Sequence, residues 1–139
     1  MRYLTVQDML WISLQVVGRP QKFQYAKLEE ATFTQYIYGE SQAPIEHAIR
    51  FLTGWPAHKP FAEANERIGL VAFLAFLRMN GLRLENTDPT TWYATSGENP
   101  DQSRSQLVEN FDHHEAEKTT RQILDSVLSE LGTIATPAY

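Results

Sequence analysis

Cysteine is absent from the 139 residues, which excludes a disulfide framework, a thiolate metal site and a thiol nucleophile. That absence suits a reducing compartment, so a cytoplasmic location is the expectation. Long apolar runs are lacking too. The longest, Ile68 to Leu77, stands between Arg67 and Arg78 and falls well short of the roughly 20 residues a membrane span requires. It reads as core, and no membrane partner is expected. Cations are outnumbered: 12 Lys and Arg against 17 Asp and Glu leave a formal charge of −5, so the broad basic face that duplex binding rests on is missing. No nucleic-acid partner is expected. A small-residue cleavage site is likewise lacking after MRYLTVQDMLWISLQVVG, where Gln7 and Asp8 precede the apolar stretch; the segment reads as a first helix rather than a signal peptide.

What remains is a chain with 42% hydrophobic residues, of ordinary single-domain size and large enough to bury a core without staples. It shows no internal repeat. One domain is expected over residues 1–132, with a loose tail at 133–139. The first helix starts at Thr5 as N-cap, with Asp8 at the third helical position and Leu4 stapled to Met9, and ends at Gly18 and Pro20. A second helix from Tyr25 to Tyr38 places Tyr25, Leu28, Thr32 and Tyr36 on one stripe and stops at Gly39. Gly39 to Pro44 is a loop or short β-hairpin. A third helix carries Ile45, Ala48, Ile49 and Leu52 behind Pro44 and breaks at Gly54, Trp55 and Pro56. The fourth runs from Ala64 or Asn65 to Asn80-Gly81 and is apolar on nearly every side, which makes it the surrounded central helix of the fold. Asp88-Pro89 opens a short helix burying Trp92, and Gly97, Asn99 and Pro100 form a further break. Helical stripes return with Leu107, Val108 and Phe111, then with Ile123, Leu124, Val127, Leu128 and Leu131, either side of the polar DHHEAEKTT. The expected class is all-α.

The chemistry gathers where the broken third helix meets the fourth, in His58-Lys59-Pro60-Phe61-Ala62-Glu63-Ala64-Asn65-Glu66-Arg67. Unpaired backbone N–H groups at a helix start and the positive end of its dipole form a phosphate pocket. Asn65 adds a neutral donor and Arg67 a fork-shaped cation, while Glu63 can hold Mg²⁺ through one carboxylate with the other ligands drawn from phosphate and water. An Asn and an Arg at a helix start are more commonly a cap and a solvated charge, so the spacing alone is weak evidence.

The string Pro60-Phe61-x-Glu63-Ala64-Asn65-x-Arg67, followed by a buried helix ending Phe76-Leu77-Arg78-x-Asn80-Gly81, resembles the Fic/Doc signature, in which His-x-Phe-x-acid-Gly/Ala-Asn-x-Arg leads into a central helix. Ala64 and the Leu-Arg-x-Asn-Gly ending resemble the Doc branch in particular, and the resemblance spans roughly residues 1–112. It implies a compact all-α fold around one buried helix at about residues 65–80, with Gly39 to Pro44 as the flap that docks a target segment by strand pairing. It also implies transfer of AMP or another phosphate-containing group from a nucleotide to a protein hydroxyl, with Mg²⁺ and ATP or another nucleotide as cofactors. Doc-type toxins phosphorylate a translation factor and are neutralised by an antitoxin, so a protein target and an antitoxin are the implied partners. On that alignment Ala64, Asn65 and Arg67 bind nucleotide phosphate and Glu63 the metal.

Two positions depart from the pattern. Lys59, not His58, stands where the signature has its general-base histidine, and Glu66 stands where relatives carry glycine or lysine. A carboxylate roughly 6 Å from a phosphate costs on the order of 3 kcal/mol at an effective dielectric of 20, before salt screening. Three functions stay open: a degenerate member that binds phosphate without transferring it, Lys59 acting as a clamp; an active transferase using His58 or Lys59, since phosphoryl transfer leans on positioning more than on a base; and a helical interaction protein without a nucleotide. His113-His114-Glu115 lacks an i, i+4 histidine partner and reads as a solvated face rather than a metal site. His47 reads as a hydrogen-bonded boundary residue. Ser126-x-x-x-Glu130 partly resembles the inhibitory helix of some Fic proteins, where a glutamate pairs the motif arginine, but Leu131 departs from it. The tryptophans at 11, 55 and 92 and the tyrosines at 25, 36 and 38 read as core and rim aromatics.

Overall fold

The computed structural model describes residues 1–36, 43–84, 107–108 and 113–131, and these form an all-α domain. Six helices follow one another among them: α1 (Val6–Val17), α2 (Tyr25–Phe33), α3 (Pro44–His58), α4 (Asn65–Met79), α5 (His113–Ala116) and α6 (Thr120–Leu131). The expected flap, the Asp88-Pro89 helix with Trp92, and the tail at 133–139 lie outside or almost wholly outside the described residues.

α1 begins as its sequence dictates. Thr5 accepts from the Asp8 N–H at 3.1 Å while the Asp8 carboxylate accepts from the Thr5 N–H at 2.8 Å, a reciprocal cap that is worth about 1 kcal/mol. Gly18 closes the helix in the left-handed region at φ 84°, where a Cβ is strained.

α4 is the axle. Every residue from Ile68 to Leu77 is buried, and α1, α3, α5 and α6 all pack on it. Full burial of one Leu, Ile or Phe side chain contributes about 1.5–3 kcal/mol, so a helix apolar on all sides is stable only when surrounded like this. Its last turn is tied to the N-terminus through Asn80, which accepts from the Arg2 N–H and donates to the carbonyls of Arg2 and Phe76. Arg2 in turn donates to the carbonyl of Ala116 and to Thr120, so one segment joins α4, α5 and the start of α6. On α6, Ile123, Leu124, Val127 and Leu131 are buried, as their spacing predicts.

Five expectations are corrected. α2 stops at Phe33, because Gln35 turns its carboxamide inward: it is 1% exposed, accepts from the Leu4 N–H, and donates to the carbonyls of Leu4 and Thr32. Tyr25 is 58% exposed and not on the buried stripe. α3 does not break at Gly54-Trp55-Pro56 but runs on to His58. Trp55, 1% exposed and 5.4 Å from the Phe51 ring, anchors that last turn in the core, and this packing outweighs the one i→i−4 hydrogen bond, to the Leu52 carbonyl, that Pro56 cannot donate. Leu107 and Val108 are extended rather than helical: strand β2 (Leu107–Val108) pairs antiparallel with β1 (Arg83–Leu84), Arg83 opposite Val108. Two-residue strands of this kind leave the all-α class intact. His47 sits deeper than a boundary position, 3% exposed, with Nδ1 donating to the Gln35 carbonyl at 2.8 Å.

Candidate functional site

The loop between α3 and α4 is bracketed by Lys59 at φ 43° and Ala64 at φ 62°, the two non-glycine residues with positive φ among those described. Each left-handed non-glycine residue costs roughly 1–2 kcal/mol, so the intervening turn is held by its surroundings rather than by its own preference. Those surroundings are specific. The segment Lys22–Gln24 lies antiparallel to Pro60–Ala62: the Gln24 N–H donates to the Pro60 carbonyl at 2.9 Å and the Ala62 N–H to the Lys22 carbonyl at 3.1 Å. Phe61 is 4% exposed beside the Phe23 ring.

Asn65 opens α4, but its carboxamide faces back into the loop. Oδ1 accepts from the Phe61 N–H at 2.9 Å and Nδ2 donates to the Phe61 carbonyl at 2.8 Å. The Asn65 carbonyl accepts from Trp55 Nε1 at 2.8 Å. Asn65 therefore shapes the loop, and its side chain is not an unengaged phosphate donor. Glu63 is bound on three sides: its N–H to Gln21 Oε1, its carbonyl to Gln21 Nε2, and its carboxylate to Arg19 at 2.8 Å. Gln21 also donates to Ser13 on α1. No group of three metal-ligating side chains occurs among the described residues, so Mg²⁺ here would rest on Glu63, with phosphate and water completing its shell.

These bonds satisfy the N–H groups of Phe61, Ala62 and Glu63 and leave those of Ala64, Asn65, Glu66 and Arg67 without an acceptor among the described residues. They are the four that an α-helix cannot satisfy internally, and no side chain caps this terminus. Arg67 donates through Nη2 to the Leu131 carbonyl at 3.0 Å, at the end of α6, while its Nη1 is buried with no acceptor among the described residues. Lys59 and Glu66 are exposed, which puts the unexpected carboxylate in screened solvent. His58 donates from Nδ1 to the Gly54 carbonyl at 2.8 Å; a carbonyl only accepts, so Nδ1 carries the proton and Nε2 of the neutral ring keeps the lone pair.

Ala64, Asn65 and Arg67 are thus gathered at one helix start, with Lys59 at the head of the loop and Glu63 tied to Arg19. Spacing gave no sign of Ser13, Arg19 and Gln21, which hold the loop from more than 40 residues away, or of the Leu131 carbonyl. The one available cue was the turn signal Gly18-Arg19-Pro20, which ends α1 and sends the chain across the loop. Of the other candidates, His114 is exposed, whereas Glu115 is 7% exposed and paired with Lys118 at 2.8 Å, so that segment is not a wholly solvated face. Glu130 pairs with Arg78, joining the last turn of α4 to α6. Trp11 carries the Arg121 guanidinium 3.6 Å above its ring.

Comparison with protein-family models, with characterised proteins and with solved structures returns no match.

Proposed function

We propose that the chain is a Fic/Doc-like domain that binds nucleotide phosphate at the start of α4 and is a degenerate phosphate-group transferase of the toxin–antitoxin type. One observation carries this reading: among the described residues the first turn of α4 holds a set of donors without an acceptor, four backbone N–H groups without a side-chain cap and the buried Nη1 of Arg67. A buried donor without an acceptor costs roughly 1–3 kcal/mol, and a phosphate oxygen is the acceptor that a helix N-terminus suits best. Lys59, exposed at the head of the loop, supplies a mobile cation in place of a base. A lysine ammonium offers three donors and no acceptor, so it clamps phosphate rather than accepting a hydroxyl proton. Glu63 is the carboxylate for Mg²⁺, in exchange for its pairing with Arg19.

Calorimetric titration with ATP and Mg²⁺ tests the site. The wild-type chain is expected to bind, Lys59→Ala to bind more weakly, and Arg67→Ala to lose binding. Transfer to a protein hydroxyl appearing only in Lys59→His identifies a binder that has lost its base, and absence of binding in every variant refutes the phosphate site and favours a helical interaction protein.

The His58 ring favours one second reading. Nδ1 donates to the Gly54 carbonyl, which leaves Nε2 as the nitrogen that an active AMP- or phosphoryl-transferase would use to take the proton of the attacking hydroxyl. Expression that slows growth in a manner abolished by both His58→Ala and Arg67→Ala supports that activity; growth unaffected by the wild-type chain argues against it.

A further inference from the structure

The pairing of Lys22–Gln24 with Pro60–Ala62 fixes the direction of four backbone groups. Phe23 and Phe61 form a non-hydrogen-bonded antiparallel pair, flanked by the Gln24–Pro60 and Ala62–Lys22 bonds, so the N–H and C=O of both phenylalanines point away from the ladder on opposite sides. On the Phe61 side both groups are taken by the Asn65 carboxamide, which stands where a third strand would. On the Phe23 side neither group has a partner among the described residues. Lys22, Phe23, Gln24 and Tyr25 are all exposed, Phe23 at 41% and Tyr25 at 58%. An extended backbone with an open donor and acceptor beside exposed aromatic rings is the setting for strand addition.

We infer that the Phe23 edge docks an extended, acidic peptide segment of a partner protein by strand addition. The charge around the edge selects that occupant. Residues 19–27, RPQKFQYAK, hold three cations and no carboxylate in a chain of net charge −5. Arg19 is engaged with Glu63, which leaves the exposed Lys22 and Lys27 as the charges nearest to Phe23 in the chain, with Glu29 and Glu30 following further along α2. A second copy of the chain meeting this edge across a two-fold axis would set these cations against their own equivalents, and lysine on an edge strand opposes such self-pairing. A segment bearing Asp or Glu complements them. Alternation along the edge puts Lys22 and Gln24 on one face and Phe23 on the other, so the matching peptide alternates carboxylates with apolar residues. This edge belongs to the segment between α1 and α2, and its use does not depend on the phosphate site.

Selection of peptides from a random twelve-residue display library on the purified chain, with the best binder then made synthetically, tests the inference. Enrichment of alternating acidic and apolar sequences is expected, with slowed hydrogen exchange at the Phe23 amide when the synthetic peptide binds. Phe23→Pro keeps both ladder bonds but removes the outward N–H together with the exposed ring, and is expected to weaken the peptide roughly tenfold or more, since about one hydrogen bond and the aromatic contact are lost together. Lys22→Glu, a surface change that spares the backbone, is expected to weaken it likewise while ATP titration is unchanged, which separates this edge from the phosphate site. Failure to enrich any peptide, peptides that bind Phe23→Pro and Lys22→Glu as well as wild type, equal competition by a polyanion such as single-stranded DNA, or dimerisation through this edge would each overturn it.

Discussion

Ala64 is the residue whose conformation is least explained by its own chemistry. At φ 62° and ψ 25° its Cβ is crowded by the backbone, and its position as N-cap gives α4 no side-chain acceptor. Glycine there relieves roughly 1–2 kcal/mol of left-handed strain but adds about 0.5–1 kcal/mol of unfolded-state entropy. Ala64→Gly is therefore expected to stabilise by about 0.5–1 kcal/mol, seen in urea unfolding as a higher midpoint at unchanged slope. A lower midpoint would mean that the methyl group packs favourably and the strain is illusory. Asn65 is the complementary case. Its carboxamide makes both bonds to Phe61, so Asn65→Ala is expected to cost about 1–3 kcal/mol and to loosen the loop, weakening ATP binding as well as stability. Asn65→Asp keeps the acceptor for the Phe61 N–H but sets a carboxylate oxygen against the Phe61 carbonyl; it is expected to be no better than alanine. ATP affinity unchanged by Asn65→Ala would disconnect loop shape from the phosphate site.

Among the elements, α3 best separates what sequence pattern reveals from what packing decides. Gly54-Trp55-Pro56 carries two helix-breaking residues, and local propensity ends the helix there. The core overrides that preference, since Trp55 is fully engaged and a Cβ on Gly54 would lie 2.7 Å from Thr34 Cγ2 and 2.9 Å from its Cβ. Gly54 is thus the contact point of α3 with the end of α2. In a free helix Gly→Ala gains about 1 kcal/mol, but overpacking costs typically 1–3 kcal/mol, so Gly54→Ala is expected to destabilise on balance, by about 1 kcal/mol. Adding Thr34→Ser, which removes the nearer methyl group, is expected to recover part of the loss; a Gly54→Ala chain more stable than wild type would show that α2 and α3 give way easily. The elements with local signals, the Thr5 capping box, the apolar α4 and the stripe of α6, were legible because their causes lie within one or two turns of chain. The early end of α2 and the pairing of Arg83–Leu84 with Leu107–Val108 were not, because Gln35 answers to Leu4 and the strands to partners more than 20 residues away. The same division runs through the site. The residue types of the loop pointed to a chemically loaded helix start, whereas the inward turn of Asn65, the Arg19–Glu63 pair and the reach of Arg67 to α6 depend on long-range contacts that carry no periodic trace.

For the whole molecule, net charge and local chemistry point in different directions. An excess of five carboxylates sets a weak repulsive field for anions, whereas the start of α4 carries uncapped backbone donors, the positive end of a helix dipole and the Arg67 guanidinium. No helix among the described residues is long and apolar enough to cross a membrane, in keeping with a chain that packs its most hydrophobic helix at the centre of the fold. Arg67 spans two regions, since the guanidinium whose Nη1 has no acceptor among the described residues also anchors the end of α6. Its substitution is consequently expected to lower stability by about 1 kcal/mol along with any effect on binding, and thermal unfolding of Arg67→Ala should accompany each titration. The most direct test of the phosphate site is to follow the backbone amides by ¹⁵N NMR as ATP and Mg²⁺ are added. Saturable shifts concentrated at the amides of Ala64, Asn65, Glu66 and Arg67, and reproduced more weakly by inorganic phosphate, are the predicted result. Unmoved amides at these four positions at millimolar nucleotide, or saturable shifts confined to another part of the surface, would contradict it.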